Sequence, residues 1–447
     1  MRAFKIDYIS QNIKKASRNP LVRNMMIVGT VTMIIKAVAF YKETMIAGAF
    51  GLSEILDTFL IAMLVPSFIQ SIFINSLKNI FIPNYISDMK SGGPKSSFQS
   101  VIFLIAFGIC AISVLIAFLS TDVFIHLIYP GHTPEFYQLI KDQLFYVLPC
   151  LFLWGLSSVL HGLLEIENRF LVATIPDFFS ILTMILFLIF LRDELGHMVL
   201  ALGTLAGSTL SFSILLFFTI KYKDLSLSRP VLNSNVKLMI RQLPAKVSAS
   251  FLSAINNYVD QFFAAQLIAG SITAISYGIR IPYFGIAIVT MALGSVLLPH
   301  FSRMVNEDVK SAYKHLFKTL KVVFISSSIF VIIAIFMSDW LIEVLFERGK
   351  FTHDDTLKVS LIQKIIFVHV PFYLCTLIIV KFLTSINKNS FMAWISLANL
   401  IINLVLNIIF VKFYGVYGLA VSTSLVLIIS SCFYFWYTNN QYKKLKG

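Results

Sequence analysis

Charge is scarce in this chain. Only 13% of its 447 residues are Asp, Glu, Lys or Arg, about half the share that soluble domains carry. A water-soluble surface cannot be assembled from so few, so a soluble enzyme is excluded. Acidic residues are scarcer still, with 22 Asp and Glu against 36 Lys and Arg. Cysteine is nearly missing. Cys110, Cys150, Cys375 and Cys432 all lie inside apolar stretches, without metal-ligand spacing or the density of a disulfide scaffold. There is no glycine-rich phosphate loop, paired-carboxylate box or nucleophile elbow, so no covalent chemistry and no cofactor for it are expected. What is abundant is apolar: 57% hydrophobic residues and a mean hydropathy of +0.83. The fold class this implies is an all-α polytopic membrane protein.

A helix needs roughly 20 apolar residues to cross the hydrocarbon core. The runs predict about twelve spans, at 24–48, 56–86, 98–128, 138–165, 170–191, 198–220, 240–268, 271–300, 314–345, 359–384, 391–411 and 417–438. No cleavable signal peptide is expected, because the first 23 residues are polar and basic. With the N-terminus inside, cytoplasmic segments hold 22 of the 36 Lys and Arg, and the outer loops only Arg192, Arg348, Lys350 and Lys412. This positive-inside bias places both termini in the cytoplasm and accounts for most of the +14 net charge without nucleic acid. The predicted organisation is a basic cytoplasmic segment 1–23, a six-helix lobe 24–222, a cytoplasmic linker 223–239, a second six-helix lobe 240–438 and a cytoplasmic tail 439–447. The basic segment suits anionic headgroups as well as plain solvation.

The halves repeat. Pro66 and Pro83 are 17 apart, Pro282 and Pro299 likewise, and the pairs are offset by 216 residues. A looser match sets Pro149 before Asn168-Arg169-Phe170 against Pro371 before Asn389-Ser390-Phe391. Six helices per copy is an even number, so both copies share one topology. Two six-helix lobes related by a pseudo-two-fold along the membrane normal are expected, the architecture of a transporter.

Some charges fall at membrane depth. Lys36 lies near 20 Å past Arg23 at about 1.5 Å per residue, and Arg280 about nine residues in from the outer end of its span. Each costs at least about 2.5–3.5 kcal/mol there and must face a polar interior. Fixed cations in a cavity suit an anion, and a diphosphate fits Arg and Lys through charge-assisted hydrogen bonds; interhelical ion pairing without a ligand is the alternative. Lys36 and Glu43 share a helix face and are expected to pair, whereas Lys42 points elsewhere and Asp57 stands at the outer start of the second span. His161 and His369 read as packed or interfacial. Asp260 is a lone carboxylate about eight residues into the seventh span, and Asn403, Asn407 and Thr423 can reach similar depth in the second lobe. A carboxylate, two amide oxygens and a hydroxyl form a hard oxygen shell suited to sodium. A proton at Asp260, or a purely structural Asn ladder, are the other readings.

The run IIKAVAFYKETMIAGAFGLSEILDTFLIAMLVPSFIQSIF, closing in FIP, is followed by ENRF, by GSITAISYGIRIPYFG with VLLP, and by LFERGKFTHDDT. Together these resemble the MviN/MurJ lipid II flippase family of the multidrug/oligosaccharidyl-lipid/polysaccharide exporter superfamily, over about residues 20–440. The resemblance implies two six-helix lobes and a flippase that moves a polyprenyl-diphosphate-linked saccharide, lipid II favoured, to the outer leaflet of the bacterial inner membrane. It places cationic cavity residues on Lys36, Lys42 and Arg280, an acidic one on Asp57, and a further cavity arginine on Gln70, with a nearby glutamate on Asn75. It also matches a sodium site to Asp260, Asn403, Asn407, Thr423 and the backbone of Leu419, with Asn407 standing where that pattern has an aspartate. Sodium or proton coupling is therefore expected. Two further C-terminal helices found in many members are not expected in this chain. Expected partners are the lipid-linked saccharide, membrane lipids and enzymes of cell-envelope biosynthesis. The alternatives are an O-antigen or capsule flippase, a drug/cation antiporter of the same superfamily, and a non-transporting scaffold for a polysaccharide synthase.

Overall fold

The computed structural model describes residues 20–445. Most of the basic segment 1–23, and the last two residues of the tail, lie outside the described residues. The helices are α1 Pro20–Phe50, α2 Glu54–Lys90, α3 Lys95–Ile128, α4 Pro134–Ile166, α5 Phe170–Phe190, α6 Val199–Lys221, α7 Ser234–Ala265, α8 Ser271–Gly278, α9 Arg280–Glu307, α10 Val309–Phe336, α11 Ser338–Phe346, α12 His353–Ser385, α13 Asn389–Tyr414 and α14 Val416–Lys444. No strand occurs among the described residues. A bilayer leaves a backbone no water to bond with, so these apolar runs must satisfy their own N–H and C=O groups as helices.

All twelve predicted stretches are helical, but three of them are broken. The eighth divides at Ile279 into α8 and α9, the ninth at Met337 into α10 and α11, and the fourth is interrupted within α4 by a turn at Leu148 and Pro149. The first break puts Pro282 in the opening turn of α9, where its missing N–H costs no helical bond. Among the described residues, ten helical segments are long and apolar enough to cross a membrane. The charged residues of α1 include Lys36, Lys42 and Glu43, and those of α7 are Lys237, Arg241, Lys246 and Asp260.

The chain forms two compact units. The first comprises the described residues up to Ile46, Ala62–Val123 and Gln138–Ser250. Its core joins Phe81, Tyr85 and Phe98, whose ring centroids lie 5.4–6.3 Å apart, with Ile102, Val159 and Leu163. The face of α3 carrying Leu104, Phe107, Ile112, Leu115 and Leu119 is exposed, as a lipid-facing helix requires. The second unit comprises Ala47–Ile61, Phe124–Tyr137 and the chain from Phe251 on. Its hub is α12, which packs against α8, α9, α10, α11 and α14. That helix starts in a reciprocal cap. The Thr352 hydroxyl accepts from the Asp355 N–H, and the Asp355 carboxylate accepts from the Thr352 N–H.

Two connections are built rather than slack. In the first unit, segment 224–233 is strapped to α3: Ser226 N–H donates to Gln99 Oε1 (2.7 Å), Ser228 N–H to Ser100 Oγ (2.9 Å) and Val231 N–H to Ser97 Oγ (2.8 Å). Arg169 pairs with Asp224 at 3.0 Å and lies over the Tyr222 ring. In the second unit, the stretch spelled LFERGKFTHDDT wraps the end of α1. Lys350 N–H donates to the Gly48 carbonyl at 2.8 Å. Gly349 has φ +59 and faces the Gly48 carbonyl, and Gly51 has φ +61 and faces the Lys350 carbonyl; a Cβ at either would collide with that backbone.

Candidate functional site

The predicted cations stand differently from expectation. Lys36 is exposed on α1 and makes no ion pair among the described residues. The partner expected for it, Glu43, pairs instead with Lys42 at 2.9 Å. Neighbours in sequence diverge on a helix, but the long lysine stem bends back far enough to close the gap. Arg280 is the first residue of α9, half-buried, at the break that follows α8. Three further lysines are neutralised locally: Lys78 by Glu165 at 2.8 Å, Lys364 by Asp339 at 2.7 Å, and Lys141 by Asp122.

Asp57, expected as a cavity acid, is 4% exposed and fully engaged. Its Oδ2 accepts from Gly270 N–H at 2.6 Å, and its Oδ1 accepts from Thr273 N–H at 2.9 Å and Thr273 Oγ1 at 2.6 Å. These are the orphan donors at the start of α8. Gly270, with φ +86, has no side chain to cap them. A carboxylate at a helix N-terminus meets both the free N–H groups and the positive end of the dipole. Asp57 is therefore a long-range helix cap, and its packing explains why it is not presented to solvent.

The second-lobe cluster assembles. Asp260 Oδ1 accepts from Asn403 Nδ2 (3.0 Å) and Asn407 Nδ2 (2.8 Å), and Oδ2 accepts from Thr423 Oγ1 (2.8 Å), which also reaches the Leu419 carbonyl at 2.9 Å. Asn403 and Asn407 are 3% and 0% exposed. The amides offer N–H rather than oxygen to the carboxylate, as an acceptor-only group requires of its partners. Asn407 Oδ1 is buried without a hydrogen-bond partner. A half-turn of either amide would present its oxygen to a cation held by Asp260.

Gln70 marks a feature the sequence reading missed. Residues Gln70–Ile74 form a π-helical turn inside α2, where Asn75 N–H donates to the Gln70 carbonyl five residues back. This wider turn brings Gln70, Ile74 and Asn75 to one face, lining a chamber of about 270 Å³ within the first unit. Lys78 also comes from α2; Trp154, Ser157, Ser158 and His161 come from α4, Asp177 and Ser180 from α5, and Ser208 and Ser211 from α6. Trp154 Nε1 donates to Ser208 Oγ at 3.0 Å. Gly207 lets α6 approach Ser180 of α5; a Cβ there would lie 2.8 Å from the Ser180 carbonyl. Scattered serines on three helices have no periodic signature, so only Gln70, Asn75 and His161 stood out in the sequence.

The chain is matched by the family model described as "Lipid II flippase MurJ" over residues 46–447. Among curated proteins, the probable lipid II flippase MurJ of Buchnera aphidicola subsp. Schizaphis graminum is 26% identical over 430 residues, covering 93% of this chain and 83% of that protein. The probable lipid II flippase MurJ of Synechocystis sp. is 24% identical over 439 residues, covering 93% and 81%. Among solved structures, a lipid II flippase MurJ in an inward closed conformation superposes with a TM-score of 0.77 at 23% identity, covering 93% of this chain and 87% of that one. An inward-facing multidrug resistance transporter of the MATE family, in the MOP superfamily, gives a TM-score of 0.74 at 13% identity, covering 92% and 95%. These superpositions establish a shared fold.

Proposed function

The chain belongs to the lipid II flippase MurJ family, and on that premise we propose that it carries lipid II from the cytoplasmic to the outer leaflet of the bacterial inner membrane by alternating access. The observation that carries this reading is the family match across residues 46–447, nearly the whole chain. No bond is made or broken. The lipid tail stays in the bilayer while the headgroup crosses on protein groups. Arg280 offers the diphosphate a bidentate fork, and Lys36 offers it a point charge. Both termini face the cytoplasm, on the distribution of Lys and Arg.

The cluster of Asp260, Asn403, Asn407 and Thr423 is the coupling element, held by the hydrogen bonds described above. A cation entering beside Asp260 would turn the amide oxygens inward and stiffen α7 against α13 and α14. That gives a differential binding energy, without which no conformational equilibrium shifts. The unpaired Asn407 Oδ1 supports this reading. The test of the transport function is replacement. The host's essential lipid II flippase is depleted while this gene is expressed, and growth is scored together with lipid II at the outer face. Loss of growth despite normal membrane insertion would overturn the assignment.

A further inference from the structure

We propose that the chamber in the first unit is a subsite for one sugar ring of the transported headgroup; this rests on the lipid-linked saccharide reading above. The chamber has the chemistry of a polyol site. Its hydroxyls come from α4, α5 and α6, and two amides come from α2. Ser, Asn and Gln side chains both donate and accept, as a ring of hydroxyl and acylamino groups requires. Trp154 and Ile74 add an apolar wall, against which the face of a ring can lie.

The charges point the same way. Lys78 is already bound to Glu165 at 2.8 Å, so its cation is spent inside the protein. What remains at the wall is the Asp177 carboxylate, exposed on α5, with Lys78 and Lys36 acting on it only at electrostatic range. It stands seven residues into α5, roughly 10 Å from that helix end at 1.5 Å per residue. A carboxylate at membrane depth facing water is a functional group by default. It repels a diphosphate and accepts two hydroxyl donors at once, so it selects the neutral part of the substrate. At about 270 Å³ the chamber falls just below the roughly 300–1,000 Å³ of drug-sized sites. It therefore holds one ring and not the entire headgroup.

The π turn supplies an independent argument. Such turns break the regular hydrogen-bond ladder and recur at functional sites. Here the turn spans Gln70–Ile74, and Gln70 and Asn75 both line the chamber as a result.

The test compares two lipids with the same tail and diphosphate. The full chain in nanodiscs is titrated with lipid II and with undecaprenyl diphosphate, which has no sugar. Wild type should prefer lipid II by about tenfold or more, the value of hydrogen bonds to a charged group. Asp177→Asn should remove about tenfold of the lipid II affinity and leave undecaprenyl diphosphate binding as it was. Ser157→Leu, which fills the chamber without touching a charge, should do the same and guards against misfolding of the first variant. Equal wild-type affinity for the two lipids, or variants that weaken both alike, would overturn the sugar subsite while leaving the flippase reading in place. Failure of wild type to bind either lipid would overturn both.

Discussion

Removing the Asp57 carboxylate should destabilise the second unit. Its two oxygens hold three donors at 2.6, 2.9 and 2.6 Å, and the site is 4% exposed. In Asp57→Ala, two backbone N–H groups and the Thr273 hydroxyl lose their acceptor at a buried helix start. A hydrogen bond to a charged group contributes about 1.5–3 kcal/mol. The three share one carboxylate and are not additive, so a total near 3–5 kcal/mol is the working figure. For a unit of some 200 residues each kcal/mol moves the melting temperature by about 2–4 °C, which gives a fall of roughly 6 °C or more. Asp57→Asn keeps one acceptor but sets an N–H against a backbone N–H, for about 1–3 kcal/mol. Intrinsic fluorescence on heating reads the melting temperature, and hydrogen exchange at Gly270 and Thr273 reads the cap itself. Unchanged melting and unchanged exchange in Asp57→Ala would refute the reasoning. Altered labelling of cysteines introduced at the outer end, without any loss of stability, would assign Asp57 a gating role instead.

Other outcomes follow from the same geometry. Arg280→Ala should abolish flipping in a protein that still inserts, and Arg280→Lys should keep only part, since a point charge replaces a fork; vesicle transport assays with both decide it. Asp260→Asn should make flipping insensitive to a sodium or proton gradient, whereas Asn407→Asp should strengthen sodium dependence by adding a second carboxylate; rates in vesicles with each gradient and with neither are the measurement. Acid should loosen the loop before α12. The Thr356 hydroxyl holds the Glu347 carboxyl below the usual carboxylate range, with His353 assisting. A depressed folded pKa gives stability that is present above the unfolded glutamate value of about 4.3 and lost as pH falls through the folded one. Amide exchange over residues 350–356 should rise in that window, and Glu347→Gln should abolish the rise.

The helices were legible because lipid leaves a backbone few options, and each of the twelve apolar stretches is helical. The Asp260 cluster was legible too, since Asn403 and Asn407 share a face at four residues' spacing and Thr423 lies one turn beyond Leu419. What one dimension hid were contacts between distant segments. Asp57 and Gly270 are 213 residues apart, and nothing about either residue alone names the other. Glu43 was assigned to Lys36 by helical periodicity, but a flexible lysine stem overrode it in favour of Lys42. The π turn at Gln70–Ile74 shifts the register of everything after it, so an ideal helical wheel aims Asn75 and Lys78 wrongly. The LFERGKFTHDDT string was recognisable by likeness long before its reason was visible: its glycine sits where only a missing Cβ lets two carbonyl-bearing strands of chain touch.

Anyone wishing to fuse a reporter to this protein must choose the insertion point with the strap on α3 in mind. Surface connections usually accept extra residues, and segment 224–233 carries the turn-forming polar residues that invite one. Yet its N–H groups at 226, 228 and 231 are read in register by Gln99, Ser100 and Ser97. One added residue would shift that register, and the donors downstream of it would face the wrong acceptors. The turn between α9 and α10 at Asp308 carries a single local cap, from Asp308 to Lys310 N–H, and is the better place to open the chain.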